Sequence, residues 1–369
     1  MNNVRQNIKI LVAPLDWGLG HATRCIPIIR SLVQAGYEVL LAGEGKQAIL
    51  LSNEFPQLTL LPLRGYDVTY SRHAWQLPFK LAAQLPRILG AIQNEKKWLQ
   101  EQVKKLNINM VISDNRYGLY HPSIPCIIIT HQLTIITPFR ILQRVMQKLH
   151  YRLLNHFNEI WVPDTEGFPS AAGILSHPQR MPGVPVRYIG WLSRFHPSQI
   201  PTNYHIVVLL SGPEPQRSIL ENKILHELNG VKGKILLIRG LPGEKALPKI
   251  EQPFTFRNHL SSKELQEVMQ QAEWIICRSG YSTIMELLLL QKKAILIPTP
   301  GQTEQIYLAK RLSKLKWAYS IDQNEFKGSD VVSAAGQFSF SLPQPAYSNE
   351  QPWLPLMKKL LAPDIVLVQ

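Results

Sequence analysis

Ile8-Lys9-Ile10-Leu11-Val12-Ala13-Pro14-Leu15-Asp16-Trp17-Gly18-Leu19-Gly20-His21 is the stretch from which the fold can be read. Ile8 to Ala13 is apolar and β-rich, as a strand covered on both faces of a parallel sheet must be. The glycine loop leads into residues 22–35, where Cys25, Ile28, Ile29, Leu32 and Val33 recur at helical spacing. Gly36 closes that helix, and Glu38 to Ala42 reads as the next strand. Strand, glycine loop, helix, glycine, strand is the opening of an α/β sheet.

Outward from there the same units repeat. Leu58 to Leu61 reads as a strand, and residues 78–105 as a basic helix. Asn109 to Ser113 is a strand ending in Asp114, Cys126 to Thr130 one ending in His131, and Glu159 to Val162 one ending in Asp164. Open α/β sheets bind ligands at the carboxyl ends of their strands, where these polar residues fall. Residues 182–203, rich in Pro, Gly, Ser and Trp and without periodicity, read as a linker. A second series follows, with strands at 205–210, 234–238, 254–257, 274–277 and 294–297 and helices at 216–228, 262–271, 283–290 and 303–314. The expectation is two doubly wound, Rossmann-like domains, 1–190 and 204–335, with a tail, 336–369, that can pack back on either domain, the N-terminal one being the candidate.

Composition narrows the function. With 369 residues, 45% hydrophobic and 18% charged, the chain has material for two sizeable cores and does not look disordered. Cys25, Cys126 and Cys277 are odd in number and form no CxxC pair, which argues for a reducing compartment. No apolar run approaches the ~18 residues of a membrane span. Forty Lys and Arg against twenty-six Asp and Glu give +14, and residues 72–160 alone hold twelve against four. Such an excess points to an anionic partner. Tyr66, Tyr70, His73 and Trp75 come nearest to aromatics interleaved with basic residues, but no nucleic-acid module surrounds them. Arg140, Arg144, Lys148 and Arg152 repeat every four residues, with Phe139, Leu142, Met146, Leu149 and Leu153 on a neighbouring face. That pattern suits a helix lying on an anionic bilayer, or a solvated stripe beside a core-packed face.

Four groups of residues carry chemistry. Gly18 and Gly20 let a ligand approach the backbone where a helix N-terminus offers N–H groups to an anion. Thr23 stands where the dinucleotide fingerprint needs a third glycine, and no acidic residue closes the second strand, so a nicotinamide or flavin is disfavoured. His21 is the general-base candidate, with a helix cap as its plainer role. Asp114 is the natural orienter of its ring, or else a cap before Asn115, and His131 is a weaker candidate base. Cys277-Arg278-Ser279-Gly280-Tyr281-Ser282-Thr283-Ile284-Met285-Glu286 reads as strand end, turn and helix start, with Ser282 or Thr283 as N-cap. Its N–H groups and hydroxyls suit a diphosphate without a metal, and Glu286 a ribose diol; a capping box of Thr283 and Glu286 explains the same letters locally. Gln302, Glu304 and Gln305 open a further helix where they can meet sugar hydroxyls or merely cap a turn. No DxD and no histidine cluster indicates a catalytic metal.

These motifs resemble the family 28 glycosyltransferases of the GT-B fold. Gly18-x-Gly20-His21, Cys277-Arg278-Ser279-Gly280-x-Ser282-Thr283-x-x-Glu286 and Pro298-x-Pro300-Gly301-Gln302-x-Glu304-Gln305 carry the likeness, with residues 272–312 the more specific part. The resemblance implies an acceptor-binding N-terminal domain, a UDP-sugar-binding C-terminal domain, a cleft between them, inversion at the anomeric carbon and no metal. It places Ser211 and Gly212 at the donor phosphates, Ser279 to Thr283 at the diphosphate, Glu286 at the ribose, Gln305 at a sugar hydroxyl and His259 near the uracil. His21 with Asp114 resembles the base and helper of related inverting enzymes. The family's best-known member adds N-acetylglucosamine to an undecaprenyl-linked peptidoglycan precursor. Here Asp16-Trp17-Gly18-Leu19-Gly20-His21 is poorer in glycine than that enzyme's loop, and Ser211-Gly212-Pro213-Glu214 lacks its Gly-Gly-Ser pattern, which argues against the peptidoglycan lipid as acceptor.

The expectation is therefore a metal-independent, inverting glycosyltransferase without a cofactor. It would take a UDP-sugar donor and a glycan or lipid-linked acceptor and bind no nucleic acid. Its place would be cytoplasmic, peripheral on the inner face of the membrane. Its rivals are a nucleotide-sugar epimerase of the same fold and a non-catalytic nucleotide-sugar-binding protein.

Overall fold

The opening stretch folds into β1 (Lys9–Pro14), α1 (Leu19–Gln34) and β2 (Glu38–Gly43) in a computed structural model of the chain. The structure describes residues 8–66, 77–137, 139–249, 253–345 and 352–361; Tyr70, His73 and Trp75 fall outside them. Ile10 to Ala13 are fully buried, which is why β1 reads as an unbroken apolar run rather than an alternating one. Gly36, at φ +84°, ends α1 with the Gly36 N–H on the Val33 carbonyl and the Tyr37 N–H on the Leu32 carbonyl.

Two compact units emerge: one reaches Leu192 and includes the C-terminal helix, and the other runs from Ser193 to Pro345 and takes in residues 77–83, the start of the third helix. The first continues with α2 (Gly45–Glu54), β3 (Thr59–Pro62), α3 (Leu77–Leu106), β4 (Met110–Asp114), β5 (Cys126–Ile129), α4 (Arg140–Leu154), β6 (Glu159–Val162) and β7 (Val186–Tyr188). Its strands pair in parallel in the order β3-β2-β1-β4-β5-β6-β7. The edge strand β7 lies inside the segment expected to be a linker. Three half-exposed residues on an edge are too short to leave a periodic signal, so the linker reading of residues 182–203 is corrected there.

The second unit holds β8 (Tyr204–Leu209), α5 (Gln216–Glu227), β9 (Ile235–Ile238), β10 (Phe254–Arg257), α6 (Ser262–Gln270), β11 (Ala272–Cys277), α7 (Tyr281–Leu289), β12 (Ala294–Leu296), α8 (Thr303–Lys314), β13 (Tyr319–Ser320) and α9 (Gly328–Gln337). Its sheet, β10-β9-β8-β11-β12-β13, is parallel too. Both sheets thus wind outward in opposite directions from a central pair, β1 and β4 in one, β8 and β11 in the other. Such a reversal leaves a crevice at the carboxyl ends of the central strands.

After α9, Phe338 and Phe340 pack with Tyr319 and Trp274 in the second unit. The last helix, α10 (Trp353–Leu361), belongs to the first: Trp353 is buried against α1 and its Nε1 donates to Ser31 Oγ at 2.7 Å. Each unit has its own core, around Leu11, Val111, Ile128 and Leu154 in one and Ile206, Leu237, Ile276 and Phe326 in the other. Emptying one such position, as in Leu11→Ala, removes a side chain whose loss costs about 2–5 kcal/mol.

Candidate functional site

At the first switch point, β1 ends in Pro14 and β4 in Asp114, side by side in register. The chain leaves β1 through a loop pinned by Asp16, whose carboxylate accepts the Tyr66 N–H at 3.0 Å and whose carbonyl accepts the Gly18 N–H at 2.9 Å. Gly65 is required beside it, because a Cβ there would lie 2.2 Å from Asp16 Oδ2. Gly18, at φ +95°, caps α1, so His21 stands in the first turn of the helix and is not its cap. His21 Nδ1 meets Asp114 Oδ1 at 2.9 Å. Asp114 is completely buried, whereas 16% of the His21 side chain remains exposed.

The carboxylate also has a cationic partner that residue spacing alone does not reveal. Arg24, one turn along α1 and 2% exposed, donates from Nε to Asp114 Oδ2 at 2.5 Å and from Nη2 to Oδ1. Its Nη1 lies 3.2 Å from Nδ1 of His131, at the end of β5. Burial works against ionisation of Asp114, but Arg24 and His21 outweigh it and hold the carboxyl well below its usual range. Burial pulls the His21 pKa down; Asp114 opposes that pull, and Arg24 and His131 add to it. His21 is thus a neutral imidazole at physiological pH. The ionised Asp114 facing Nδ1 favours the tautomer with the proton on Nδ1 and the lone pair on Nε2, while Arg24 Nη2, 3.0 Å from the same Nδ1, competes as a donor to it.

At the second switch point, β8 runs into Ser211 and Gly212, both exposed, with Gly212 at φ +97°. β11 runs into the turn 278–280 and α7. The N-cap of α7 is Gly280, not Ser282 or Thr283, and no side chain caps the helix. The capping-box explanation of Thr283 and Glu286 therefore fails, and Ser282 and Thr283 lie half-exposed in the first helical turn. That turn carries the partial positive charge of the helix.

Three residues expected to touch a ligand face inward instead. Arg278 is 1% exposed and donates to the carbonyls of Ile297, Pro298 and Gln216, with its pKa drawn down to about 10 by burial. Ser279 is buried and its hydroxyl donates to the Gln305 carbonyl at 2.8 Å. Gln305 is buried too, its Oε1 accepting the Thr299 N–H at 2.9 Å. A cation and a hydroxyl beside a glycine turn look like anion ligands in sequence, but here neighbouring carbonyls have captured them; all three brace the turn. Glu286 sits one turn into α7 as expected, yet buried, with Oε1 accepting from Arg194 Nε at 2.9 Å. Burial raises its pKa and Arg194 counters the rise. Arg194, which also donates to Ser262 Oγ, was not singled out in the sequence. His259 is half-buried after β10, and burial with nearby Arg194 lowers its pKa. Beside Gln302, the N-cap of α8, the buried oxygens Thr299 Oγ1 and Gln302 Oε1 have no hydrogen-bond partner among the described residues.

On α4 the cations Arg140, Arg144, Lys148 and Arg152 are all exposed, as expected. The exposed apolar residues agree in part with the expected face: Phe139 and Leu142 are exposed and Met146, Leu149 and Leu153 half-buried, while Ile141 and Val145, outside that face, are 78% and 60% exposed and His150 and Leu154 are buried. The helix docks by its C-terminal half, which turns Ile141 and Val145 to solvent among the cations. Among the described residues, no helix is long and apolar enough to cross a membrane, and no group of three or more His, Cys, Asp and Glu side chains could hold a metal ion.

Residues 219–350 match the glycosyltransferase family 28 C-terminal domain. A UDP-N-acetylglucosamine--N-acetylmuramyl-(pentapeptide) pyrophosphoryl-undecaprenol N-acetylglucosamine transferase from Glaesserella parasuis serovar 5 is 27% identical over 136 residues, 36% of this chain and 38% of the relative. The match thus spans well under half of that relative's length. Among solved structures, the glycotransferase of kitacinnamycin superposes with a TM-score of 0.62 at 16% identity, covering 96% of this chain and 94% of that one. The Streptomyces sp. SF2575 glycosyltransferase SsfS6 complexed with thymidine diphosphate gives 0.57 at 13% identity, covering 96% and 95%.

Proposed function

We propose, from the likeness of residues 219–350 to the glycosyltransferase family 28 C-terminal domain and from the GT-B-like fold, that the chain transfers a sugar from a UDP-sugar to an acceptor hydroxyl with inversion. The observation that carries the reading is the His21–Asp114 pair at one switch point, in a chain whose other switch point is an open glycine and hydroxyl turn at the head of a helix. In the reaction, His21 Nε2 takes the acceptor hydroxyl's proton as that oxygen bonds to the anomeric carbon. The bond from that carbon to the diphosphate oxygen breaks, and its electron pair leaves with UDP. Asp114 stabilises the imidazolium that forms. The N–H groups of the α7 first turn, the hydroxyls of Ser282 and Thr283, and the Ser211-Gly212 loop hold the departing charge, so the step needs no metal.

Glu286, held by Arg194, accepts from the ribose, and His259 stands at the uracil. The unpartnered Thr299 Oγ1 and Gln302 Oε1 accept from sugar hydroxyls. The name of the Glaesserella relative favours UDP and N-acetylglucosamine on the donor side. A lipid-linked acceptor fits α4, whose exposed Ile141 and Val145 stand among four cations. These features support a peripheral position on the inner face of the cytoplasmic membrane rather than on nucleic acid.

Incubation with UDP-, GDP- and dTDP-sugars, with and without lipid extract, tests the reading by nucleotide release. UDP release that rises with extract is expected. Sugar isomerisation without release would make the protein an epimerase, and UDP binding without any turnover a binding protein.

A further inference from the structure

Arg24 makes two bonds to Asp114, and its Nη2 lies 3.0 Å from His21 Nδ1. If His21 Nδ1 carries a proton for Asp114, Nη2 cannot also donate to it, so that hydrogen must go elsewhere. Asn115 provides the place. With its amide donating to the Ile129 carbonyl and Thr130 Oγ1, its oxygen accepts from Arg24 Nη2 at 3.2 Å. Asn115 is held at φ +55° at the sharp turn after β4, which brings the amide back over the guanidinium. The fork thus has acceptors for Nε, for both Nη2 hydrogens and for Nη1, the last being His131 Nδ1.

We propose that Arg24 is a positioning residue that balances the charge of Asp114, letting the carboxylate orient His21 as the Nδ1–H tautomer without turning it into a standing imidazolium. This rests on the reading of His21 as the base. A buried carboxylate with no other cation draws a proton onto its histidine partner, and a histidine protonated at rest cannot take a proton from a hydroxyl. The guanidinium removes that pull while its planar fork fixes both carboxylate oxygens, a geometry that lysine cannot copy. The groups facing His21 are Asp114 from β4, Arg24 from α1 and His131 from the end of β5; around the cluster stand Cys25 Sγ, 3.6 Å from Asp114 Oδ2, and the buried Tyr117 phenol, which interacts with Arg24 and Asp114.

Nitrogen-15 NMR of the histidine-labelled protein, with His21 assigned through His21→Gln, reads this without any substrate. The proposal can therefore fail while the enzymatic reading stands, and the converse also holds. In the wild type, His21 is expected as a single Nδ1–H tautomer titrating below 6.5. Arg24→Gln should raise that midpoint by about one unit or more, a tenfold or greater change in proton affinity. An unmoved or lowered midpoint would overturn the proposal. Should Arg24→Gln fail to fold, Arg24→Lys carries the test. With the cation kept and the fork lost, the midpoint should stay below 6.5 while the two tautomers mix, and a tautomer as pure as the wild type's would contradict the positioning role.

Discussion

The two switch points share a topology and differ in where they keep their charge. In the first unit, the crevice between β1 and β4 holds a buried cluster of Arg24, Asp114 and His131 under the partly exposed ring of His21. In the second, the crevice between β8 and β11 turns its charged side chains inward: Arg278 is spent on carbonyls and Glu286 on Arg194. What it presents outward is small and neutral, namely Ser211, Gly212, Gly280, Ser282 and Thr283. Under the proposed reaction, a group that must gain and lose a proton is served by neighbours that set its pKa, a part the charged cluster can play. A group that must hold an anion and release it is better served by N–H dipoles than by a full cation, which would slow product departure.

Breaking the first site should have the largest effect. His21→Ala is expected to cut turnover by roughly 10²- to 10⁴-fold while UDP affinity, measured by calorimetry, stays at the wild-type value. Arg278→Met should act on the fold rather than on the ligand. Leaving three carbonyls without their donor is expected to lower unfolding stability by about 3 kcal/mol, read as a fall in the denaturant midpoint. A loss of UDP affinity without a loss of stability would restore Arg278 as a ligand contact. Thr283→Ala removes a hydroxyl that caps nothing, so stability should hold while UDP binding weakens about tenfold. The smallest effect concerns pH. Because the His21 pKa is lowered, the imidazole stays neutral as pH falls past 6.5, and the acid limb of kcat/KM should have its midpoint below that value. A limb centred above 6.5 would mean that Asp114 outweighs burial, Arg24 and His131 together. Independently, Ile141→Asp with Val145→Asp should reduce sedimentation with anionic vesicles; equal binding of the wild type to neutral and anionic vesicles would remove the membrane argument.

Much of the scaffold is legible because each central strand is an apolar run, as at Ile10 to Ala13, and each helix that follows opens at a glycine or hydroxyl turn. β7 and β13 are short and half-exposed, so they lack the buried apolar run that makes the similarly short β12 legible. His21 and Asp114 are found from sequence because adjacent strand ends must converge. Arg24 is not, because a helix shows its residues' spacing but not which cation will be buried; its i+3 offset from His21 was the available signal. Arg278 misleads for the opposite reason. Its place beside Gly280 advertises an anion ligand, while the carbonyls that capture it come from Gln216 and from Ile297 and Pro298, distant in the chain. Burial of a charge is a tertiary property, and it decided both cases.

Inversion at the anomeric carbon in a single displacement, with His21 as the base, is the central proposal. Proton NMR of the first transfer product tests it directly, by the configuration at the anomeric carbon. The account predicts inversion relative to the UDP-sugar, and a product with retained configuration would contradict it.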